Sequence, residues 1–131
     1  SYLTSALVLE PSDGLTHALI GDVLLGRDRA QEAIEHYLRA VESRPDSPNY
    51  LTRAGVAYRK LGQADRAREM FEGALSRRPR YFEALVNMGE LLLEEGDAAA
   101  ASRYFRQALA VRPDHPAAVR GLARASARGA L

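Results

Sequence analysis

An all-α solenoid, built from antiparallel helix pairs stacked in a row, is the fold class the sequence predicts. Three observations carry that prediction. All six prolines fall on a 34-residue step: Pro11, Pro45, Pro79 and Pro113 form one series, and Pro48 and Pro116 lie two steps apart. Small and aromatic residues keep the same step, as in Gly21, Gly55 and Gly89 (Ala123 follows), Ala33, Ala67 and Ala101, Ala6, Ala40, Ala74 and Ala108, and Leu3, Tyr37, Phe71 and Phe105. Within a step the apolar residues recur at helical spacing: Leu51, Ala54, Gly55 and Tyr58 stand at i, i+3, i+4 and i+7, and Ala67, Phe71, Ala74 and Leu75 form a matching stripe. A fixed period of this length marks a repeat architecture, in which each unit buries its apolar face against the next.

The elements follow in order. Residues 1–13 read as the second helix of a truncated unit, with Leu3, Leu7 and Val8 lacking their own first helix and inviting pairing with another copy. Full units are expected at 14–47, 48–81 and 82–115, and a capping or half-unit helix at 116–131. Each unit holds two helices of about 13 residues, marginal alone in water, so packing must hold them. Gly62 and Gly96 suit the left-handed turn that ends a first helix, whereas the first unit has Gly26-Arg27-Asp28 there. Pro48 behind Ser47, and Pro116 behind Asp114 and His115, suit the first position of a capped helix. Pro45, Pro79 and Pro113 close the second helices, since proline cannot continue them. Glycine inside a helix costs about 1 kcal/mol relative to alanine, so the Gly21, Gly55 and Gly89 column implies close approach of the partner helix. Leucine at Gly55 is expected to overpack the hairpin by about 1–3 kcal/mol or more.

These columns resemble the tetratricopeptide pattern, W-x2-LG-x2-Y followed by A-x3-F and P. The first part reads His17-x2-Ile20-Gly21-x2-Leu24, Leu51-x2-Ala54-Gly55-x2-Tyr58 and Leu85-x2-Met88-Gly89-x2-Leu92. The second reads Ala33-x3-Tyr37, Ala67-x3-Phe71 and Ala101-x3-Phe105, and tryptophan is missing from its column. The resemblance covers nearly the whole chain. It implies a right-handed superhelix whose first helices line a concave groove that holds a protein or peptide.

Carried onto this chain, the groove positions are Leu15, Ala18, Leu19, Asp22 and Leu25 in the first unit, and Asn49, Thr52, Arg53, Val56, Arg59 and Lys60 in the second. The third unit supplies Glu83, Val86, Asn87, Glu90, Leu93 and Glu94, and the last helix Arg120, Arg124 and Arg128. The expected ligand is an extended peptide or helix of mixed charge, anchored on Leu25, Val56 and Leu93. Alternatively the charges serve only to pair neighbouring units, Arg59 with Glu90 or Glu94 with Arg128, contributing about 0–1 kcal/mol each. Family members that grip chaperone tails use lysine, asparagine and arginine at set positions. In register this chain has Ala18, Asp22, Arg53, Glu83 and Asn87, or, shifted by one unit, Thr52, Val56, Asn87, Ala117 and Gly121. Neither set grips a double carboxylate. The asparagine ladder of sugar-transferring relatives is also lacking, its column reading Leu19, Arg53, Asn87 and Gly121.

Composition narrows the function classes further. The 131 residues carry a net charge of +1, which argues against a nucleic-acid partner, and no apolar run reaches the ~20 residues of a membrane span. With no cysteine there is no disulfide or thiolate metal site, and no cofactor motif is present. His17 is expected to pack in an apolar column, His36 to lie on the surface and His115 in a loop, so no enzyme constellation forms. Lys60 is the sole lysine among 18 basic residues, which points to a GC-rich, bacterial source. The start at Ser1 suggests a segment of a longer protein of unknown compartment. The leading expectation is therefore a non-catalytic interaction scaffold. The alternatives are the substrate-presenting part of a larger transferase and a self-associating array.

Overall fold

A computed structural model of the chain describes residues 13–130, and all its regular structure there is helical. The half-unit expected at residues 1–13, with its exposed leucines and its pairing with another copy, lies outside the described residues save for Asp13. Seven helices follow: α1 (Gly14–Gly26), α2 (Ala30–Ser43), α3 (Pro48–Lys60), α4 (Ala64–Arg77), α5 (Phe82–Glu94), α6 (Ala98–Val111) and α7 (Pro116–Gly129). Every helix packs on its chain neighbour, and each first helix also touches the next first helix, α1 on α3, α3 on α5 and α5 on α7. No helix among the described residues is long and apolar enough to cross a membrane.

Local chemistry sets the ends. Ser47 Oγ accepts from Tyr50 N at 3.2 Å ahead of Pro48, and His115 Nδ1 accepts from Ala117 N at 3.2 Å ahead of Pro116. Asp13 and Asp97 cap α1 and α6 in the same way. Each second helix ends on an arginine with extended backbone (Arg44, Arg78 and Arg112). The next residue is proline, which disfavours a helical conformation in the residue before it. Gly62 and Gly96 take the left-handed conformation at φ 76° and 88°, and Asp28 occupies the matching place at φ 61°.

The core is a column of rings. Tyr37, Phe71 and Phe105 are essentially inaccessible to solvent, ringed by Ala33, Ala67, Ala101 and the alanines of adjoining helices. A Cβ built on Gly21 would lie 2.5 Å from Tyr37, on Gly55 2.4 Å from Phe71 and on Gly89 2.6 Å from Phe105. The glycine column therefore exists to seat these rings. Gly121, outside that column, does likewise from the next unit, where a Cβ would come within 2.3 Å of Phe105.

Candidate peptide-binding groove

The first helices α1, α3 and α5 frame a cavity of about 250 Å³. The α1 wall contributes Asp22 and Leu25, and α3 contributes Asn49, Thr52, Arg53 and Val56. Glu83 and Asn87 come from α5, Tyr37 from α2, and Tyr81 from the turn before α5. The 34-residue period places these side chains on one face, because equivalent positions of successive units superpose along the stack. Eight of the twenty groove residues expected from the sequence thus converge here. A second depression, of about 480 Å³, lies between α5 and α7 and gathers Glu90, Arg120 and Arg124 with two alanines. A larger opening near Gly62 is walled only by the consecutive residues 62–66, so it lacks convergence from several elements.

Charge on this face is mostly spent between units. Arg53 meets Asp22 at 2.8 Å, Arg59 meets Glu94 at 3.3 Å and Arg124 meets Glu90 at 2.6 Å, each pair about one period apart. Arg128 donates to the Leu93 carbonyl at 2.9 Å. Pairing across neighbours therefore occurs, but with exchanged partners: Glu94 takes Arg59, and Glu90 takes Arg124. These pairs are partly exposed, so each contributes under about 1 kcal/mol. Asp22 also receives the Tyr37 hydroxyl at 2.6 Å on its other oxygen. Burial, and then this bond, push the Tyr37 pKa up, so its hydroxyl stays a donor.

Several expectations need correction. Leu93 is only 4% exposed, covered by α6 and α7, and offers a ligand no anchor. Ala18 is fully buried as well. Val86 is half-buried against the third unit's core and Lys60 is exposed at the end of α3, and neither lines the cavity. His17 is buried as expected, but its Nδ1 lies 3.1 Å from Nδ1 of His36, and the half-buried His36 is no surface residue. A signal for this existed, since the residues 19 apart in the other units, Leu51 with Met70 and Leu85 with Tyr104, share core clusters. Tyr37 and Tyr81 were missed as groove residues. The hint for Tyr37 was a hydroxyl in a column whose other members, Leu3, Phe71 and Phe105, are apolar. Among the described residues no cluster of three or more metal-ligating side chains occurs.

Known proteins place this geometry. The tetratricopeptide repeat model matches residues 14–80 and again 46–114. The chain belongs to the tetratricopeptide repeat family. The array is 32% identical over 115 residues to BBSome complex member BBS4 of Bos taurus, covering 87% of this chain and 22% of that protein. It is 33% identical over 79 residues to Cellulose synthase 1 operon protein C of Komagataeibacter xylinus, covering 60% of this chain and 6% of that one. The chain thus spans less than a quarter of either relative. With relatives in cattle and bacteria alike, the arginine bias alone carries the bacterial expectation. Among solved structures, the first TPR of Spaghetti (RPAP3) bound to HSP90 peptide SRMEEVD superposes at a TM-score of 0.85, with 20% identity, 90% of this chain and 94% of that one covered. That likeness establishes the fold.

Proposed function

We propose that this tetratricopeptide array is a protein-interaction scaffold, holding an extended peptide or helix in the groove lined by its first helices. The observation that carries the reading is the cavity between α1, α3 and α5, where two apolar walls, Leu25 and Val56, stand beside polar groups from three units. Apolar surface beside convergent polar groups that fix a ligand's orientation is the composition of a recognition site. The solved relative bound to an HSP90 peptide supports peptide binding as the general mode, but not that ligand. Where a tail carboxylate needs cationic donors, this groove presents Asp22 and Glu83, and its Arg53 is engaged. The chain's place within a larger bacterial protein is part of the same proposal.

Arg53 and Arg59 are poor probes of binding, because reversing them sets glutamates against Asp22 and Glu94 and disturbs the stacking. A better test selects peptides from a display library on the wild-type chain and maps each by amide chemical shifts. Groove binding predicts shifts at Asn49, Val56 and Asn87 on α3 and α5. Shifts confined to exposed second-helix residues such as Glu69 and Arg106 would rule the groove out.

A further inference from the structure

We propose that the α1–α3–α5 cavity is a subsite for a basic side chain, arginine or lysine, of the partner peptide. The proposal rests on the groove reading above and specifies what that groove selects.

The cavity is rich in unused acceptors and short of unused positive charge. Asn87 Nδ2 donates to the Glu83 carbonyl at 2.7 Å, which fixes the amide and leaves its Oδ1 as an acceptor. Asn49 Nδ2 reaches the Tyr81 hydroxyl at 3.3 Å, so its own carbonyl oxygen remains. Glu83 meets Arg112 only at 3.7 Å, and both side chains are about half exposed. The Arg112 guanidinium also lies over the Phe82 ring at 4.7 Å, and Arg112 is not among the residues that line the cavity. Asp22 has filled one site on each oxygen, and a carboxylate can accept more. Arg53, the lone cation among the lining residues, is neutralised by Asp22. Glu83, with only its long contact to Arg112, is the less compensated of the two lining carboxylates.

A second, independent observation points the same way. Thr52 is 5% exposed and lines the cavity, yet its Oγ1 has no hydrogen-bond partner. Buried polar atoms are nearly always satisfied, so an orphan hydroxyl beside a cavity suits a ligand atom. Leu25 and Val56 offer apolar surface for the methylene stem that arginine and lysine carry below their charged heads. At about 250 Å³ the space suits one long side chain and falls below the usual range for cofactor pockets. An acidic side chain would instead face Glu83, Asp22 and two amide oxygens.

The test uses short acetylated, amidated peptides on one alanine–leucine background, with arginine, lysine, glutamate or leucine at the centre. Titration into the isotope-labelled chain is read at the side-chain amides of Asn49 and Asn87. The arginine and lysine peptides should bind about fivefold to tenfold tighter than the glutamate peptide, as a charge-assisted hydrogen bond predicts. That preference should shrink in high salt and in Glu83→Gln, an exposed change whose folding circular dichroism verifies. Equal affinity for all four peptides, or an arginine preference untouched by Glu83→Gln, overturns the subsite. Shifts in the groove without a basic preference sink this proposal and leave the groove standing, whereas shifts only on the second helices sink both.

Discussion

Replacing Gly55 and Gly73 by alanine, one at a time, should move stability in opposite directions. Both lie inside helices, where alanine is favoured over glycine by about 1 kcal/mol. At Gly73 the new Cβ meets Leu51 at 3.6 and 3.9 Å, an ordinary contact, so Gly73→Ala should stabilise by about 0.5–1 kcal/mol. At Gly55 it would sit 2.4, 2.7 and 2.9 Å from three Phe71 ring carbons, where carbons prefer about 3.5–4.0 Å. Phe71 is fully buried, so the ring must push alanines on neighbouring helices by roughly 1 Å. Overpacking of that kind costs about 1–3 kcal/mol, which outweighs the propensity gain and leaves Gly55→Ala destabilised by about 1 kcal/mol. Thermal unfolding followed by circular dichroism should show Gly73→Ala a few degrees above the wild type and Gly55→Ala a few degrees below it. A rise for both would refute the claim that glycine is there to seat the ring.

Three further outcomes are expected. Asp28→Gly should raise stability by about 0.5–1 kcal/mol, while Gly62→Ala at the matching turn should lower it by about 1 kcal/mol, both measured by urea unfolding. His36 is held below the ordinary histidine pKa of 6.5, chiefly by burial and then by His17 and Arg39, against weaker pulls from Glu35 and Glu32. Its neutral form is the one the fold favours, so stability present above pH 6.5 should fall as pH drops below that value. Amide protection factors in α1 and α2, corrected for the slower intrinsic exchange at low pH, should fall on acidification, less so in His36→Asn; a flat profile would count against the pair. Arg124→Gln, which removes the Glu90 pair, should change stability by under about 1 kcal/mol, and a larger loss in chemical denaturation would contradict its exposed setting.

How much of this the sequence disclosed depends on what periodicity can encode. A repeat of fixed length states which residues share a face, so the ring column and the left-handed Gly62 and Gly96 were readable before any coordinates. The family resemblance, and not the period alone, marked Asp22, Asn49, Arg53 and Glu83 as groove positions, and they line one cavity. Periodicity does not encode which neighbour covers a given site. Leu93 shares its column with Leu25 and Arg59, yet α7 lies over it and removes it from solvent. Nor does it encode side-chain reach. Arg59 had two glutamates one turn apart to choose from, and only the folded geometry selects Glu94. The Tyr37 hydroxyl was hidden for a related reason, since a residue placed in the core by its ring can still extend its polar tip to the groove.

The order of packing has a consequence for how the chain is made. Among the described residues each helix touches only the next one or two helices along the chain, so no stabilising contact between them waits for a distant segment. Chains dominated by such short-range contacts close small loops, and they fold quickly. A growing chain can therefore lay down one hairpin while the next is still being synthesised, each finished pair serving as the template for its successor. Assembly of this array is then a zipper that can start wherever the first stable pair forms.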